Sequence, residues 1–153
     1  MSNYVATVAW TRQPGEAFTD RRYSRRPHWS FDGGQTLLAS ASPQVVRVPL
    51  SDPAGIDPEE ALVASLASCH MLFFLDFASR EGFRVASYRD DAVGRMEKDA
   101  RQREWMSLVT LKPQVVFDGD KRPSAGEIAA LHHKAHDHCY IANSVKAEVR
   151  VET

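Results

Sequence analysis

Two cysteines carry the most specific chemistry in this sequence, Cys69 and Cys139, 70 residues apart. The thiolate is the reactive form of cysteine, and an ordinary thiol, with a pKa of about 8.5, is mostly protonated at neutral pH. A cysteine that reduces a peroxide therefore needs a cation or hydrogen-bond donors beside it. It also needs a second thiol to trap the sulfenic acid that peroxide leaves behind. Two cysteines, each on or next to a helix, permit that cycle. The bland alternative is that Cys69 is simply a small core residue, since free cysteine is among the most buried side chains.

Histidines supply a rival chemistry. His132, His133, His136 and His138 precede or flank Cys139, and His132 and His136 stand at i, i+4, which puts two imidazoles on one helical face. With Cys139, Cys69 and His70 they could assemble a zinc site. The sequence lacks both the glutamate between two histidines of a zincin and a Cys-x-x-Cys pair. The metal signal is therefore weak, and a polar helix face ending in histidines, favourable near a helix C-terminus, is the preferred account of them. Bound zinc would tie up the thiolates, so the metal and redox readings exclude each other. Four arginines, Arg21, Arg22, Arg25 and Arg26, cluster before the second strand-like segment as a possible source of positive charge.

The elements that must position these groups read as a β-rich half followed by helices and strands. Residues 4–10 alternate as a strand, 11–20 form a loop, and 22–31 form a second strand. Asp32-Gly33-Gly34 makes a hairpin turn, with 35–41 returning as its second arm. Residues 44–49 read as another short strand and 50–57 as a loop. Asp57, Pro58 and Glu60 then form a helix start with a capping box, and the helix runs to about Arg80, where Gly82 ends it. Its apolar residues lie nearly all round, which predicts burial on most sides. Leu72, Phe73, Phe74 and Phe77 follow Cys69 and read as core before pocket wall. Residues 84–97 and 105–117 are strands joined by a charged turn at 98–104. Ser124 and Glu127 cap a second helix over 124–137, and 145–152 alternate as a final strand. Trp10, Trp29 and Trp105 fall in strands and are expected to pack on the helices. The order is α+β, without a βαβ array.

Composition bounds the rest. The chain of 153 residues is 43% hydrophobic and 25% charged, with a net charge of −1. One domain over 1–153 is expected, with a packed core. The charge balance calls for neither nucleic acid nor an anionic membrane. The start Met1-Ser2-Asn3-Tyr4 lacks a signal-peptide pattern. The apolar run at 61–78 is broken by Ser65, Ser68, Cys69, His70 and Asp76 and reads as a buried helix. A cytoplasmic location is expected, where a disulfide between the cysteines is more often catalytic than structural.

The stretch Asp57-Pro58-Glu59-Glu60-Ala61-Leu62-Val63-Ala64-Ser65-Leu66-Ala67-Ser68-Cys69 resembles a motif of the OsmC/Ohr family: Asn-Pro-Glu followed by a small-residue helix ending in Ala-Cys. His138-Cys139-Tyr140-Ile141-Ala142-Asn143-Ser144 resembles the family's second motif, Cys-Pro and a small polar stretch. The order of elements fits over nearly the whole chain. Asp57 stands where asparagine is usual, His70 where an apolar residue is usual, and Tyr140 where proline is usual; the 11–30 region is longer.

This resemblance implies an OsmC-like fold in an intertwined homodimer with its active sites at the subunit interface. It implies a peroxidatic Cys69, a resolving Cys139, a glutamate at Glu59 and an arginine from the N-terminal region that pairs with it. Counting back from the Asp32-Gly33-Gly34 turn favours Arg25, with Arg22 next. An arginine can make a forked bond to a carboxylate and still aim an N–H at sulfur. The implied activity is a thiol-dependent peroxidase that reduces organic hydroperoxides. No cofactor is expected, only an external dithiol reductant such as a lipoyl group. The alternative is an OsmC-like dimer without peroxidase activity that binds a small ligand or a metal. Glu59 and Cys69 are ten residues apart, about 15 Å along a helix. If Glu59 acts on a Cys69, it therefore acts on that of another subunit.

Overall fold

The computed structural model describes residues 2–153. The chain forms two compact units, one ending at Ala61 and the other spanning Leu62–Thr153.

The first unit is built on a three-stranded antiparallel sheet of β1 (Ala6–Ala9), β2 (His28–Phe31) and β3 (Thr36–Leu38), in the order β1-β2-β3. The hairpin turn falls where the sequence places it, and Gly34 adopts φ 82°, which favours glycine. The strands are shorter than their patterns. Trp10 leaves β1, because its indole N–H donates to the Ser24 carbonyl at 2.7 Å and its ring packs on Phe18 and Tyr23 instead of on a helix. Ahead of β2, the backbone N–H of Arg25 donates to the Leu50 carbonyl and its carbonyl accepts from Ala41. Residues 22–27 are thereby spent on tying down loops. The strand expected at 44–49 is absent. The N–H groups of Val45 and Val46 both turn back onto the Ser42 carbonyl at 2.9 Å, and Pro49 has no N–H to give a ladder. Val45 and Val48 are exposed rather than buried on one face.

Helix α1 (Pro58–Arg80) begins with the capping box foreseen from sequence. The Glu60 N–H donates to Asp57 Oδ1 at 2.8 Å and the Asp57 N–H to Glu60 Oε2 at 3.2 Å. It ends at Gly82, φ 77°, with the Phe83 N–H on the Ala78 carbonyl at 2.9 Å. By length and composition α1 could cross a membrane. Within the single chain its buried residues are Leu66, His70, Phe74, Phe77 and Ala78, one stripe, while Leu72 is 62% exposed.

In the second unit each of the two long strand patterns divides in two. β4 (Val85–Asp90) pairs antiparallel with β7 (Pro113–Phe117), and β5 (Val93–Lys98) with β6 (Glu104–Leu111). The break lies at 91–92 on one arm and at Lys112 on the other. Asp90 Oδ1 accepts the Lys112 N–H at 2.7 Å, replacing a ladder bond, and Pro113 cannot donate. β8 (Glu148–Val151) joins β6 in parallel. Helix α2 (Ala125–His138) starts with the Ser124–Glu127 capping box complete on both sides. Two apolar clusters fill this unit. One holds Phe74, Phe77, Ala78, Phe83, Leu131 and Ala135; the other holds Leu66, Val109 and Leu111.

Candidate active site

Cys69 lies on the flank of the buried stripe of α1, one residue before His70. Phe73, one turn later, shares that flank. Cys139 is the C-cap residue of α2, where the backbone leaves the helix at φ −64°, ψ 110°. The segment after it is laced to the helix end. Asn143 Nδ2 donates to the carbonyls of Asp137 (2.9 Å) and Cys139 (3.1 Å), its N–H reaches the Cys139 carbonyl, and Ser144 Oγ donates to the Tyr140 carbonyl. These bonds satisfy carbonyls that the last helical turn leaves open. They give the small polar stretch after Cys139 its structural reason.

The two thiols are brought together. Both are free; Cys139 is 1% exposed and Cys69 half-buried. Burial pushes the Cys139 thiol up to about 11, and the neighbouring Cys69 side chain pushes the same way. The N–H groups of Ala142 (3.4 Å from sulfur) and Ile141 pull weakly in the other direction. Cys139 therefore keeps its proton at neutral pH.

Aromatic side chains from α1 meet the residues on either side of Cys139. Phe73 meets Tyr140 edge-to-face at 5.1 Å between ring centroids and stands 6.2 Å from His138, which meets Phe77 at 5.1 Å. Phe73 packs against the core, as the sequence reads it, and also faces the residues flanking Cys139. Tyr140, noticed only as a departure from proline, is its exposed partner.

Arg25 and Glu59 stand in the first unit. Arg25 is the half-buried member of the arginine cluster; its Nη1 donates to the Tyr23 carbonyl and its guanidinium lies 3.8 Å from the Tyr23 ring centroid. Among the described residues no ion pair links it to Glu59. Arg26 is held by the Pro49 carbonyl (3.0 Å) and by Asp52 (3.8 Å). Glu59 sits half-buried in the first turn of α1, and the helix is unbroken from Pro58 to Arg80, so Glu59 and Cys69 are not brought together on it.

The histidines do not gather around the thiols. His70 Nε2 and His132 Nδ1 lie 3.0 Å apart in a buried bond between α1 and α2, their rings stacked within 7° of parallel. Burial lowers both to a pKa of about 4; for His70, His132 and then His136 add to the effect. Sequence reading missed this pair; the signal present concerned only the burial of His70, which falls at i+4 from Leu66 and i−4 from Phe74, on the apolar stripe. Among the described residues no group of three or more His, Cys, Asp or Glu side chains is placed to hold a metal ion.

Comparison with known proteins bears on the whole chain. The family model described as OsmC-like protein matches residues 51–153. An OsmC-like protein of unknown function from Vibrio cholerae is 51% identical, with a TM-score of 0.97 over 99% of both chains. An organic hydroperoxide resistance protein OsmC from Legionella pneumophila shares 16% identity and a TM-score of 0.68 over 99% of this chain and 96% of its own. The organic hydroperoxide resistance protein OhrB of Bacillus subtilis shares 17% identity and a TM-score of 0.64 over 97% of each chain. At those identities the last two show the fold alone. No curated protein matches.

Proposed function

The chain belongs to the OsmC-like protein family, and within it we propose a thiol-dependent reductase of organic hydroperoxides that works through Cys69 and Cys139. The observation that carries this reading is the meeting of two free thiols of unequal character. Cys139 is sealed and held protonated, while Cys69 is the accessible one. That asymmetry suits Cys69 to attack and Cys139 to resolve.

The Cys69 thiolate attacks the terminal oxygen of the hydroperoxide. The O–O bond breaks, and the alcohol leaves with a proton. Cys69 becomes a sulfenic acid. The Cys139 sulfur then displaces its hydroxyl as water, forming a disulfide, and an external dithiol of lipoyl type returns both thiols at the cost of its own oxidation. Phe73 and Tyr140 offer an apolar approach suited to alkyl or aryl peroxides, with about 0.8 kcal/mol gained per buried methylene. Arg25 and Glu59 orient and activate Cys69 within a homodimer, Glu59 serving the thiol of the other subunit. The reaction belongs to the cytoplasm, where such dithiols are kept reduced. The surrounding donors favour redox over metal chemistry, because His70 and His132 are spent on each other.

The test is one equivalent of cumene hydroperoxide added to the reduced protein, read by intact mass and thiol count. Loss of two hydrogens and both thiols, with Cys69 and Cys139 linked in the peptide map, is expected. Survival of both thiols overturns the reading.

A further inference from the structure

A cleft of about 370 Å³ opens in the second unit between one face of α2 and strand β8. Its polar lining comes from His132, His133, His136, Arg150 and Thr153, its apolar lining from Ala129, Val149 and Val151. The volume is that of a small-molecule site. No carboxylate side chain lines it. Of the acidic groups around it, Glu152 stands between two lining residues and acts on Arg150, Glu148 pairs with Arg150 at 2.7 Å, and Asp137 pairs with His133 at 3.4 Å.

The proton positions on the histidines follow from hydrogen-bond accounting. His70 Nδ1 is buried without a partner. A buried N–H left unpaired is the rarer and costlier state, so His70 Nδ1 is the bare nitrogen and Nε2 carries the proton. His70 Nε2–H then donates to His132 Nδ1, and His132, only 4% exposed, bears its own proton on Nε2. That N–H has no protein acceptor, and His132 lines the cleft. His136 repeats the pattern: its Nδ1 is buried and unpartnered, so its proton also sits on Nε2, the nitrogen left for the cleft. Burial keeps His132 neutral at physiological pH, so it is a donor of fixed direction there. Two imidazole N–H donors one helical turn apart thus face the cleft with the Arg150 guanidinium, whose surface pair with Glu148 is weak enough to exchange.

We propose that this cleft is a binding site for a small organic carboxylate, its two oxygens taken by the histidine N–H groups and Arg150, its apolar body lying on Val149 and Val151. The tautomers argue against a metal at His132 and His136, because a ligating nitrogen must offer a bare lone pair. The site is separate from the cysteine pair and stands whatever the thiols do.

The experiment is calorimetric titration of the full chain at pH 7.5 with benzoate, with benzamide as the uncharged isostere and with zinc. The parent protein is compared with His136→Leu and Arg150→Met, whose folding is checked by circular dichroism. Saturable one-to-one benzoate binding is expected, weakened about tenfold for benzamide and in each variant, as loss of a charge-assisted bond requires. Nitrogen-15 spectra of the imidazoles are expected to show His132 and His136 protonated at Nε2. Absent benzoate binding, equal affinity for benzamide, unchanged affinity in both variants, or zinc binding that His136→Leu abolishes would each overturn the proposal.

Discussion

His70 Nε2 stands 3.0 Å from His132 Nδ1, so the residue that follows Cys69 is bonded to the helix that ends at Cys139. Both rings are held neutral, with pKa values of about 4 against an ordinary 6.5. The unfolded chain takes up protons as pH falls from 6.5, while the folded chain refuses them until about 4. The stability from this pair is therefore complete above 6.5 and drains away as pH falls toward 4. Urea unfolding at pH 7.5 and pH 5 should differ by roughly 2 kcal/mol for each ring, about 4 kcal/mol at most for the pair. In the His70→Leu/His132→Leu double variant the difference should shrink to what the carboxylates and remaining histidines contribute. An unchanged slope would mean that the pair is not buried in solution.

The cysteines should separate by variant. Cys69→Ser is expected to abolish consumption of cumene hydroperoxide. Cys139→Ser is expected to allow one turnover and then stall or over-oxidise, because nothing traps the sulfenic acid. Stopped-flow peroxide loss followed by mass spectrometry distinguishes them: a gain of one oxygen on Cys69 marks the stalled state. Full activity in Cys69→Ser would remove the mechanism.

The order of elements and both helix starts were legible because they rest on local rules. Asp57 with Glu60 and Ser124 with Glu127 are capping boxes whose bonds close within four residues. The motifs around Cys69 and Cys139 were legible for the same reason. What escaped was set by distant partners. Val45 and Val46 carry a strand pattern, yet Ser42 captures both N–H groups. The patterns over 84–97 and 105–117 continue through their breaks, which depend on the Asp90 carboxylate reaching Lys112 across 22 positions. His70 and His132 are 62 positions apart, and neither announces the other. The one-sided burial of α1 is likewise a property of the folded chain, since its sequence is apolar all round.

Close packing at Gly94 of β5 gives another prediction. A Cβ built there would meet Met106 Sδ at 2.6 Å and Val63 Cγ2 at 2.7 Å. Both neighbours are side chains, and Val63 belongs to α1, six residues before Cys69. Gly94→Ala should cost about 1–3 kcal/mol by overpacking, measured by urea denaturation. The double variant Gly94→Ala/Met106→Ala should recover part of that cost, because it vacates the nearest contact. No loss in Gly94→Ala would show that β5 and α1 are less closely packed.

Phe74 and Leu72 test the one-sided burial of α1 directly. Phe74 is 0% exposed and touches three rings: His132 at 4.2 Å, Tyr88 at 5.6 Å and Phe117 at 6.5 Å between centroids. Leu72, two residues earlier, is 62% exposed. Phe74→Ala should destabilise the fold by about 3–5 kcal/mol, the loss of a buried ring plus the cavity it leaves. Leu72→Ser should cost well under about 1 kcal/mol if the single chain is the folding unit. If α1 instead packs against a second subunit, as the homodimer proposal requires, Leu72→Ser gains a second effect. Its unfolding midpoint becomes lower and more dependent on protein concentration than that of the parent. Denaturation at two concentrations tenfold apart therefore reads the burial of one face from Phe74 and the occupancy of the other from Leu72.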